Sequence, residues 1–231
     1  CPELFELPIV GKPGQSRWIL LAAQNRYFIG HFDGQSFRKE SGPHGSPHGA
    51  FYAAQTFSDL PDDRRVQIGW VRTDKYLQQF PDQIVNQAFT LPHELTLRET
   101  NDGLRVCFVP VKETEKLRVE VLAEGQDLNI EEANALLRKA EWELSEVLIQ
   151  FAGDGPKSLT VNGLDASFDG RTATIFTDRT FNEVYANHGI YYEVRKRDPQ
   201  RFGSTETGIA ISPGLSIQSL KIFRLKSIWS D

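Results

Sequence analysis

The chain has 231 residues, a net charge of -5 and an isoelectric point near 5.6. This length can hold one large domain or two small ones, each with a buried core. Its lysines and arginines are scattered, and no apolar run approaches the roughly 20 residues of a membrane-spanning helix. We therefore expect neither a nucleic-acid partner nor a membrane partner. The two cysteines, Cys1 and Cys107, allow at most one disulfide and form no cluster with histidines.

Short β-branched and aromatic segments, separated by turn residues, fill the first half of the chain. Asp33-Gly34 and Asn101-Asp102-Gly103 are hairpin signals, because such residues adopt positive φ at little cost. Helical periodicity is nearly absent, so the pattern predicts an all-β fold of short antiparallel strands. These strands are predicted at 18–21, 27–30, 51–57, 65–71, 95–98 and 104–109.

A charged and polar stretch from Lys112 to Arg118 interrupts the strand pattern. We place a domain junction there, with one domain at 1–112, a linker at 113–118 and a second domain at 119–231. Eight further short strands fit a β-sandwich in the second domain. They are predicted at 118–123, 141–144, 147–151, 158–161, 172–177, 182–186, 190–195 and 215–229.

One helix is predicted, from Ile130 to Leu137. Asn129 precedes it as an N-cap, and Glu132 lies three residues further on, in the position that completes a capping box. Ile130, Ala133 and Leu137 share one face of this helix. At about two turns, the helix is expected to connect strands and not to fill a core.

The histidines predict no metal site. His44 and His48 have the spacing of a metal-binding pair on a helix, but the glycines and prolines around them exclude a helix. The stretch 41–49 is therefore expected to be a solvent-exposed loop. His188 lies between Asn187 and Gly189, as a turn residue does.

Three parts of the chain carry recognisable segments in a fixed order. The segments are CPELFEL at 1–7, then FYAAQTF at 51–57, QIGW at 67–70 and LPHELTL at 91–97, then DRT at 178–180, EVYAN at 183–187 and the closing stretch 219–229. Together they resemble glycoside hydrolase family 32, the levanases, inulinases and invertases. The resemblance implies a five-bladed β-propeller followed by a C-terminal β-sandwich, with residues 1–112 forming about two blades, the last ones of the propeller.

The resemblance also implies a reaction. Retaining glycoside hydrolysis uses two carboxyl groups about 5 Å apart, one as nucleophile and one as acid/base. In the resembled family, the nucleophile is an Asp of the first blade, an Arg-Asp pair in the third blade grips the sugar, and the acid/base Glu immediately precedes the cysteine that matches Cys1. None of these residues is in the sequence. We therefore expect the chain to be the C-terminal portion of a fructan- or sucrose-hydrolysing enzyme and to be inactive alone. The resemblance implies a secreted or periplasmic protein and no cofactor.

Three glutamates near the matched segments match no catalytic position of the family. Glu3 and Glu6 are expected to be solvated carboxylates on a strand end. Glu94 is expected to form a structural ion pair or hydrogen bond. We therefore predict no catalytic residue within the chain.

The resemblance assigns substrate-binding positions to Tyr52, Trp70 and Cys1. Tyr52 and Trp70 match aromatic positions of the family's sugar pocket, where a ring face suits the C–H surface of a sugar. In the alternative interpretation, both rings fill the propeller core. Cys1 matches the cysteine beside the acid/base and is expected to pack and not to react. The family often has an acidic residue just before Phe51, whereas this chain reads Pro-His-Gly-Ala at 47–50.

Two other functions fit the sequence. In the first, the chain binds fructan or another glycan without cleaving it, with Trp142, Tyr191 and Trp229 as a stacking platform. The alternation of Trp142 and Trp229 with polar neighbours favours their burial instead. In the second, the sandwich stabilises the propeller or mediates dimers. Two blades without their neighbours leave an open sheet edge and an apolar face, so self-association is expected.

Overall fold

Four β-sheets and one α-helix make up the described part of the chain in a computed structural model. The structure describes residues 2–22, 25–45, 47–72, 87–140, 144–197 and 208–228. Within these ranges, no helix is both long and apolar enough to span a bilayer. The all-β class predicted from the sequence is confirmed.

Sheet A is an antiparallel sheet in the order β1-β2-β3-β4. Its strands are β1 (Glu3–Pro8), β2 (Ser16–Ala22), β3 (Arg26–Phe32) and β4 (Phe37–Gly45). Asp33 forms the turn between β3 and β4, where its carboxylate accepts the N–H groups of Gln35 and Ser36 at 2.8 and 2.7 Å. β2 and β3 confirm two predicted strands, whereas the sequence pattern does not predict β1 or β4.

The prediction of a loop at 41–49 is wrong for 41–45 and 48–49, although residues 43, 45, 48 and 49 are exposed as expected. Residues 41–45 continue β4, and the next strand is the two-residue β5 (His48–Gly49). The His44 ring lies 5.1 Å from the Tyr27 ring, between ring centres. Pairing of β4 with β3 therefore orders a segment whose glycines and prolines alone indicate a loop.

Sheet B runs in the order β10-β9-β7-β6, and the short β8 also pairs with β7. Its strands are β6 (Phe51–Phe57), β7 (Val66–Val71), β8 (Ala88–Phe89), β9 (His93–Thr100) and β10 (Gly103–Pro110). The four predicted strands in this region are confirmed, and β9 is longer than predicted at both ends. Gly103, with φ +95°, ends the predicted turn between β9 and β10.

Sheet C has seven strands in the order β11-β19-β12-β15-β16-β17-β5, and sheet D has three in the order β14-β13-β18. Besides β5, the strands of sheet C are β11 (Arg118–Leu128), β12 (Ser145–Phe151), β15 (Thr172–Thr177), β16 (Phe181–Ala186), β17 (Tyr191–Lys196) and β19 (Ile217–Leu225). The strands of sheet D are β13 (Pro156–Val161), β14 (Leu164–Asp169) and β18 (Ile209–Ile211).

Six of the eight strands predicted in the second half are confirmed, with ends that shift by a few residues. The strand predicted at 215–229 is too long, because β19 ends at Leu225. Of the strand predicted at 141–144, residues 141–143 lie outside the described part of the chain, and Leu144 precedes β12. The sequence does not predict β14, whose aspartates and serine are more typical of a loop.

The predicted helix forms as α1 (Ile130–Leu137), with the predicted capping box. The Asn129 side chain accepts the Glu132 N–H at 3.0 Å, and the Glu132 carboxylate accepts the Asn129 N–H at 3.0 Å. The expectation that this helix is only a connector is wrong. Ala133 and Leu137 are fully buried and belong to a hydrophobic core.

Two hydrophobic cores lie on opposite faces of sheet C. The first fills the space between sheet C, sheet D and α1. The second joins sheet C to sheets A and B. All residues of β16 are buried because each face of this strand contacts one core: Val184 and Ala186 belong to the first, and Phe181 and Tyr185 belong to the second.

The two halves of the chain also share a sheet. β5, from the first half, pairs in parallel with β17, and Gly49 lies opposite Val194. Gly49 has φ +73°, and a Cβ atom there would lie 2.1 Å from the Val194 carbonyl oxygen, so a larger residue does not fit. The stretch in which the sequence places a junction, 113–118, largely coincides with a 3-10 helix (Lys112–Leu117) that leads directly into β11.

The burial of α1 has a measurable consequence. Substitution Leu137→Ala removes a fully buried side chain and is expected to lower the free energy of unfolding by about 2–5 kcal/mol. Glu131→Ala, on the exposed side of the same helix, is the matched control and should change it by less than about 0.5 kcal/mol. Urea denaturation measures both. Equal, small effects would show that α1 is the connector that the sequence suggests.

Candidate functional site

Two of the three residues predicted to bind substrate lie next to each other on sheet B. Tyr52 of β6 and Trp70 of β7 are opposite each other across the strand pair, and their ring centres are 6.0 Å apart at an angle of 61°. The Trp70 indole N–H donates to the Gln87 side-chain oxygen at 2.7 Å. The Arg72 guanidinium lies 5.4 Å from the centre of the Tyr52 ring. The third residue, Cys1, lies outside the described part of the chain.

Strand pairing extends this aromatic pair to a row. Phe89 of β8 lies opposite Trp70, on the side away from Tyr52. Residues that face one another in a β-pair point to the same face of the sheet, so the three rings share one face. We call Tyr52, Trp70 and Phe89 the aromatic row. Phe89 is 70% exposed, and Tyr52 and Trp70 are half-buried.

A β-bulge lies beside the aromatic row. The pairing of β6 with β7 shifts between Tyr52 and Gln55, and Ala53 adopts φ +46°, which is unusual for a residue with a side chain. A bulge bends its strand and redirects the neighbouring side chains, and bulges are frequent beside active sites. The bulge therefore sets the direction in which Tyr52 points relative to the rest of β6.

The face of sheet B that carries the aromatic row, called the open face below, has accessible side chains on β6 and β8, and the opposite face is covered. Ile68 and Phe57 lie on the open face by strand alternation, and Phe57 is 51% exposed. On the opposite face, Phe51 and Val71 belong to the second core. Neither Tyr52 nor Trp70 belongs to either core.

The glutamates at the start of the chain are bound to neighbouring residues. The Glu3 carboxylate accepts the Thr56 backbone N–H at 3.0 and 3.1 Å and the Thr56 hydroxyl at 3.1 Å. This contact ties β1 to the carboxyl end of β6. The Glu6 carboxylate accepts the Ser16 hydroxyl. Both carboxylates therefore serve as hydrogen-bond acceptors between strands.

Glu94 forms the structural ion pair expected from the sequence. Its carboxylate lies 2.9 Å from the Arg64 Nε, and the other guanidinium nitrogens of Arg64 donate to Glu113 at 2.9 and 3.1 Å. These bonds from Arg64 lower the pKa of the Glu113 carboxyl to about 2. Arg64 thus connects sheet B to the 3-10 helix that precedes sheet C.

The histidines named from the sequence do not meet. His48 is exposed and lies 5.7 Å from the Tyr191 ring, and His188 adopts φ +55° in a turn, as expected. Burial and the nearby Arg105 lower the pKa of His44. Among the described residues, no three His, Cys, Asp or Glu side chains are placed to hold a metal ion.

A buried glutamate, which the sequence does not single out, joins sheets B and C. Glu183 of β16 is 1% exposed, and its carboxylate accepts the hydroxyl protons of Tyr185 at 2.6 Å and Tyr192 at 2.5 Å. From the other side, the Leu91 backbone N–H donates to it at 2.6 Å. Burial raises the pKa of Glu183 to about 7, although the three donors favour the charged form.

His93 completes this joint from the side of sheet B. Its ring lies 4.9 Å from the Tyr192 ring and 5.4 Å from the Phe108 ring, between centres. Its Nε2 is 3.0 Å from the Gln67 side-chain oxygen. Complete burial lowers the pKa of His93 to about 3, so the ring is neutral at ordinary pH. We call Leu91, His93, Glu183, Tyr185 and Tyr192 the buried joint.

Comparison with known proteins shows that the chain is similar to a class of all-β carbohydrate hydrolases. The family model described as "Glycosyl hydrolases family 32 N-terminal domain" matches residues 1–107. A levanase of Bacillus subtilis (strain 168) is 28% identical over 296 residues, an alignment that covers 99% of this chain and 43% of the levanase. An extracellular exo-inulinase of Meyerozyma guilliermondii is 32% identical over 114 residues, which cover 44% of this chain and 22% of that protein.

Solved structures share the fold. Fructan 1-exohydrolase IIa from Cichorium intybus, a variant solved in complex with 1-kestose, superposes with a TM-score of 0.76 at 15% sequence identity. The superposition covers 98% of this chain and 61% of the exohydrolase chain. The chain belongs to glycoside hydrolase family 32. It spans less than half the length of the levanase and about three fifths of the exohydrolase.

The buried joint makes stability depend on pH. Folding raises the pKa of Glu183 from 4.5 to about 7, so its contribution to stability is complete below 4.5 and is lost as the pH rises through about 7. Between pH 5 and pH 8, the unfolding free energy of the wild type should fall by roughly 3 kcal/mol relative to Glu183→Gln, which cannot ionise. Urea denaturation at several pH values measures this difference.

The matched control for this prediction is Glu94→Gln, which removes a partly exposed carboxylate from the Arg64 ion pair. Its pH profile should follow that of the wild type across the same window. Parallel profiles for the wild type and Glu183→Gln would show that the buried joint does not titrate in this range.

Proposed function

We propose that the chain forms the C-terminal portion of a retaining hydrolase that cleaves fructan or sucrose. In this assignment, sheets A and B are two blades of a five-bladed propeller at 1–112, residues 113–118 are a linker, and residues 119–231 form a β-sandwich from sheets C and D. The aromatic row of sheet B is part of the wall of the sugar pocket. Family membership and the fold shared with fructan-cleaving enzymes support this proposal.

The proposal rests mainly on the position of Tyr52 directly opposite Trp70. Both rings lie on the open face of sheet B, 6.0 Å apart, and both are partly accessible. The C–H face of a sugar packs well on aromatic rings, and the neighbouring Arg72 can donate hydrogen bonds to sugar hydroxyls. We assign Cys1 to the same pocket as a packing residue beside the acid/base.

The two catalytic carboxyl groups are assigned to residues outside these 231. The reaction needs a nucleophile and an acid/base about 5 Å apart, both open to the sugar. Among the described glutamates closest to the family's segments, Glu3, Glu6 and Glu94 are bound to neighbouring side chains, and Glu183 is buried. In this proposal, the described part of the chain supplies a scaffold for the pocket, and the reacting groups come from the rest of the enzyme. Its similarity to a protein named as an extracellular exo-inulinase supports secretion.

A chimera tests the role of the aromatic row. In the chimera, the 231 residues replace the 43% of the Bacillus subtilis levanase that aligns with this chain. The rest of the levanase supplies the remaining part of the enzyme. The chimera should release fructose from levan or sucrose. Trp70→Ala should lower its kcat/KM by about tenfold or more, because the sugar loses a ring face.

Phe57→Ala is the matched control, since Phe57 lies on the same open face of sheet B but outside the aromatic row. Its kcat/KM should stay within about twofold of that of the chimera. A folded chimera without activity, or equal losses from Trp70→Ala and Phe57→Ala, would contradict the proposed pocket.

The open face of sheet B should also make the chain self-associate. Phe57 and Phe89 are 51% and 70% exposed on this face, and exposed apolar patches favour association. Light scattering should show a mass that rises with concentration, and the double variant Phe57→Ser with Phe89→Ser should stay closer to the monomer mass. Val119→Ser with Val121→Ser, two exposed valines of β11, is the control. A wild-type monomer at every concentration would refute the prediction.

A further inference from the structure

The buried joint reaches the aromatic row through the connection that follows β8. Leu91 donates its backbone N–H to the Glu183 carboxylate at 2.6 Å. Phe89, a residue of the aromatic row, precedes Leu91 with only Thr90 between them. Because planar peptide bonds leave little slack over so short a segment, a displacement of Leu91 is passed on to Phe89.

Thr90 ties the same connection to β7. It is 3% exposed, its hydroxyl oxygen accepts the Gly69 N–H at 2.9 Å, and its own N–H donates to the Gly69 carbonyl oxygen at 2.9 Å. Gly69 immediately precedes Trp70 on β7. The Glu183 carboxylate is therefore linked, by hydrogen bonds and one short segment of backbone, to both Phe89 and Trp70.

A second set of contacts runs from Glu183 to the other end of the aromatic row. The Tyr192 hydroxyl donates to the carboxylate at 2.5 Å, and the Tyr192 ring packs edge-on against Phe51, with 5.5 Å between ring centres. Phe51 is buried and immediately precedes Tyr52 on β6. A Cβ atom at position 69 would lie 2.2 Å from the Phe51 ring, so the glycine there lets the two sets of contacts meet.

The charge of Glu183 depends on groups from several elements. Burial raises its pKa to about 7, and the charge of Asp178, in the turn before β16, raises it further. Burial also raises the pKa values of Tyr185 and Tyr192 well above their usual range, so both hydroxyls keep their protons. His93 of β9 is neutral, because burial lowers its pKa to about 3. Glu183 is therefore the member of the buried joint that exchanges a proton near neutral pH.

The proton changes what the carboxyl group can accept. Oε1 of Glu183 accepts the Leu91 N–H, and Oε2 accepts the hydroxyls of Tyr185 and Tyr192, an arrangement that suits a carboxylate. A proton on either oxygen turns an acceptor site into a donor and competes with the donors already there. Hydrogen bonds to the charged form are also shorter and stronger. Gain of the proton therefore loosens the contact with Leu91 or the contacts with the tyrosines, where the two sets of contacts begin.

We propose that Glu183 is a positioning residue for the aromatic row, and that exchange of its proton shifts Trp70 and Phe89. The contacts above carry this inference, and its consequence for sugar binding rests on the proposed function. Glu183 is 1% exposed, so it acts through its neighbours and does not touch the sugar.

The shift is measured by fluorine NMR on the 231-residue chain labelled with fluorotryptophan, where Trp70→Phe identifies the Trp70 resonance. As the pH rises from about 5 to about 9, this resonance should follow a titration curve with a midpoint near 7, the pKa of Glu183. In Glu183→Gln, which cannot ionise, the curve should disappear. A Trp70 resonance that does not titrate, or one that titrates equally in Glu183→Gln, would overturn the proposal.

Two further variants exclude other causes of the curve. His48→Gln removes an exposed histidine three residues before Phe51 and should leave the curve unchanged. Tyr192→Phe keeps the ring against Phe51 but removes one donor to the charged carboxylate, so the midpoint should rise by about one pH unit. This rise tests the proposal even where Glu183→Gln does not fold, and thermal melting shows which variants fold. A curve lost in His48→Gln, or an unchanged midpoint in Tyr192→Phe, would refute Glu183 as the titrating group.

Activity separates this inference from the proposed function. In the levanase chimera, Glu183→Gln should raise the KM for levan by about threefold or more above pH 7, because the rings that hold the sugar are displaced, and should leave kcat within about twofold. An unchanged KM in an active chimera would overturn the role of Glu183 in sugar binding. An inactive chimera, together with a Trp70 titration that depends on Glu183, would refute the sugar pocket and leave the positioning role standing.

Discussion

A carboxyl group removed from water is tolerated only where hydrogen-bond donors surround it, and this condition fixes how the two halves of the chain meet. Glu183 receives two of its donors, Tyr185 and Tyr192, from sheet C and the third, the Leu91 N–H, from the connection between β8 and β9 of sheet B. The site is therefore complete only when both sheets are folded and in contact. Gly189 allows this contact, because a Cβ atom there would lie 2.0 Å from the Phe108 carbonyl oxygen.

The buried joint determines which face of sheet B stays available. The face with Phe51, Val71 and His93 is used against sheets A and C, so the opposite face carries the accessible rings. Tyr52 and Trp70 lie on that opposite face, beside the bulge at Ala53. The contacts that hold the fold together therefore also orient the proposed sugar pocket.

The sequence predicts those features that depend on neighbours along the chain. Alternation and Asp-Gly turns predict most strands, and the Asn129 capping box predicts α1 with its bounds. The proposed placement of Tyr52 and Trp70 in a sugar pocket comes from family resemblance and not from local pattern. The role of Glu183 depends on Leu91, which is 92 residues away, and strand β5 depends on pairing with β17. Such contacts leave no periodic signal in the sequence.

We expect the buried joint to make the described parts of the two halves of the chain one cooperative unit. Hydrogen exchange at increasing urea, followed separately for β7 and β9 of sheet B and for β12 and β15 of sheet C, tests it most directly. All four strands should lose protection in a single transition at the same urea concentration. Loss of protection in sheet B at a clearly lower urea concentration, with sheet C still protected, would contradict it.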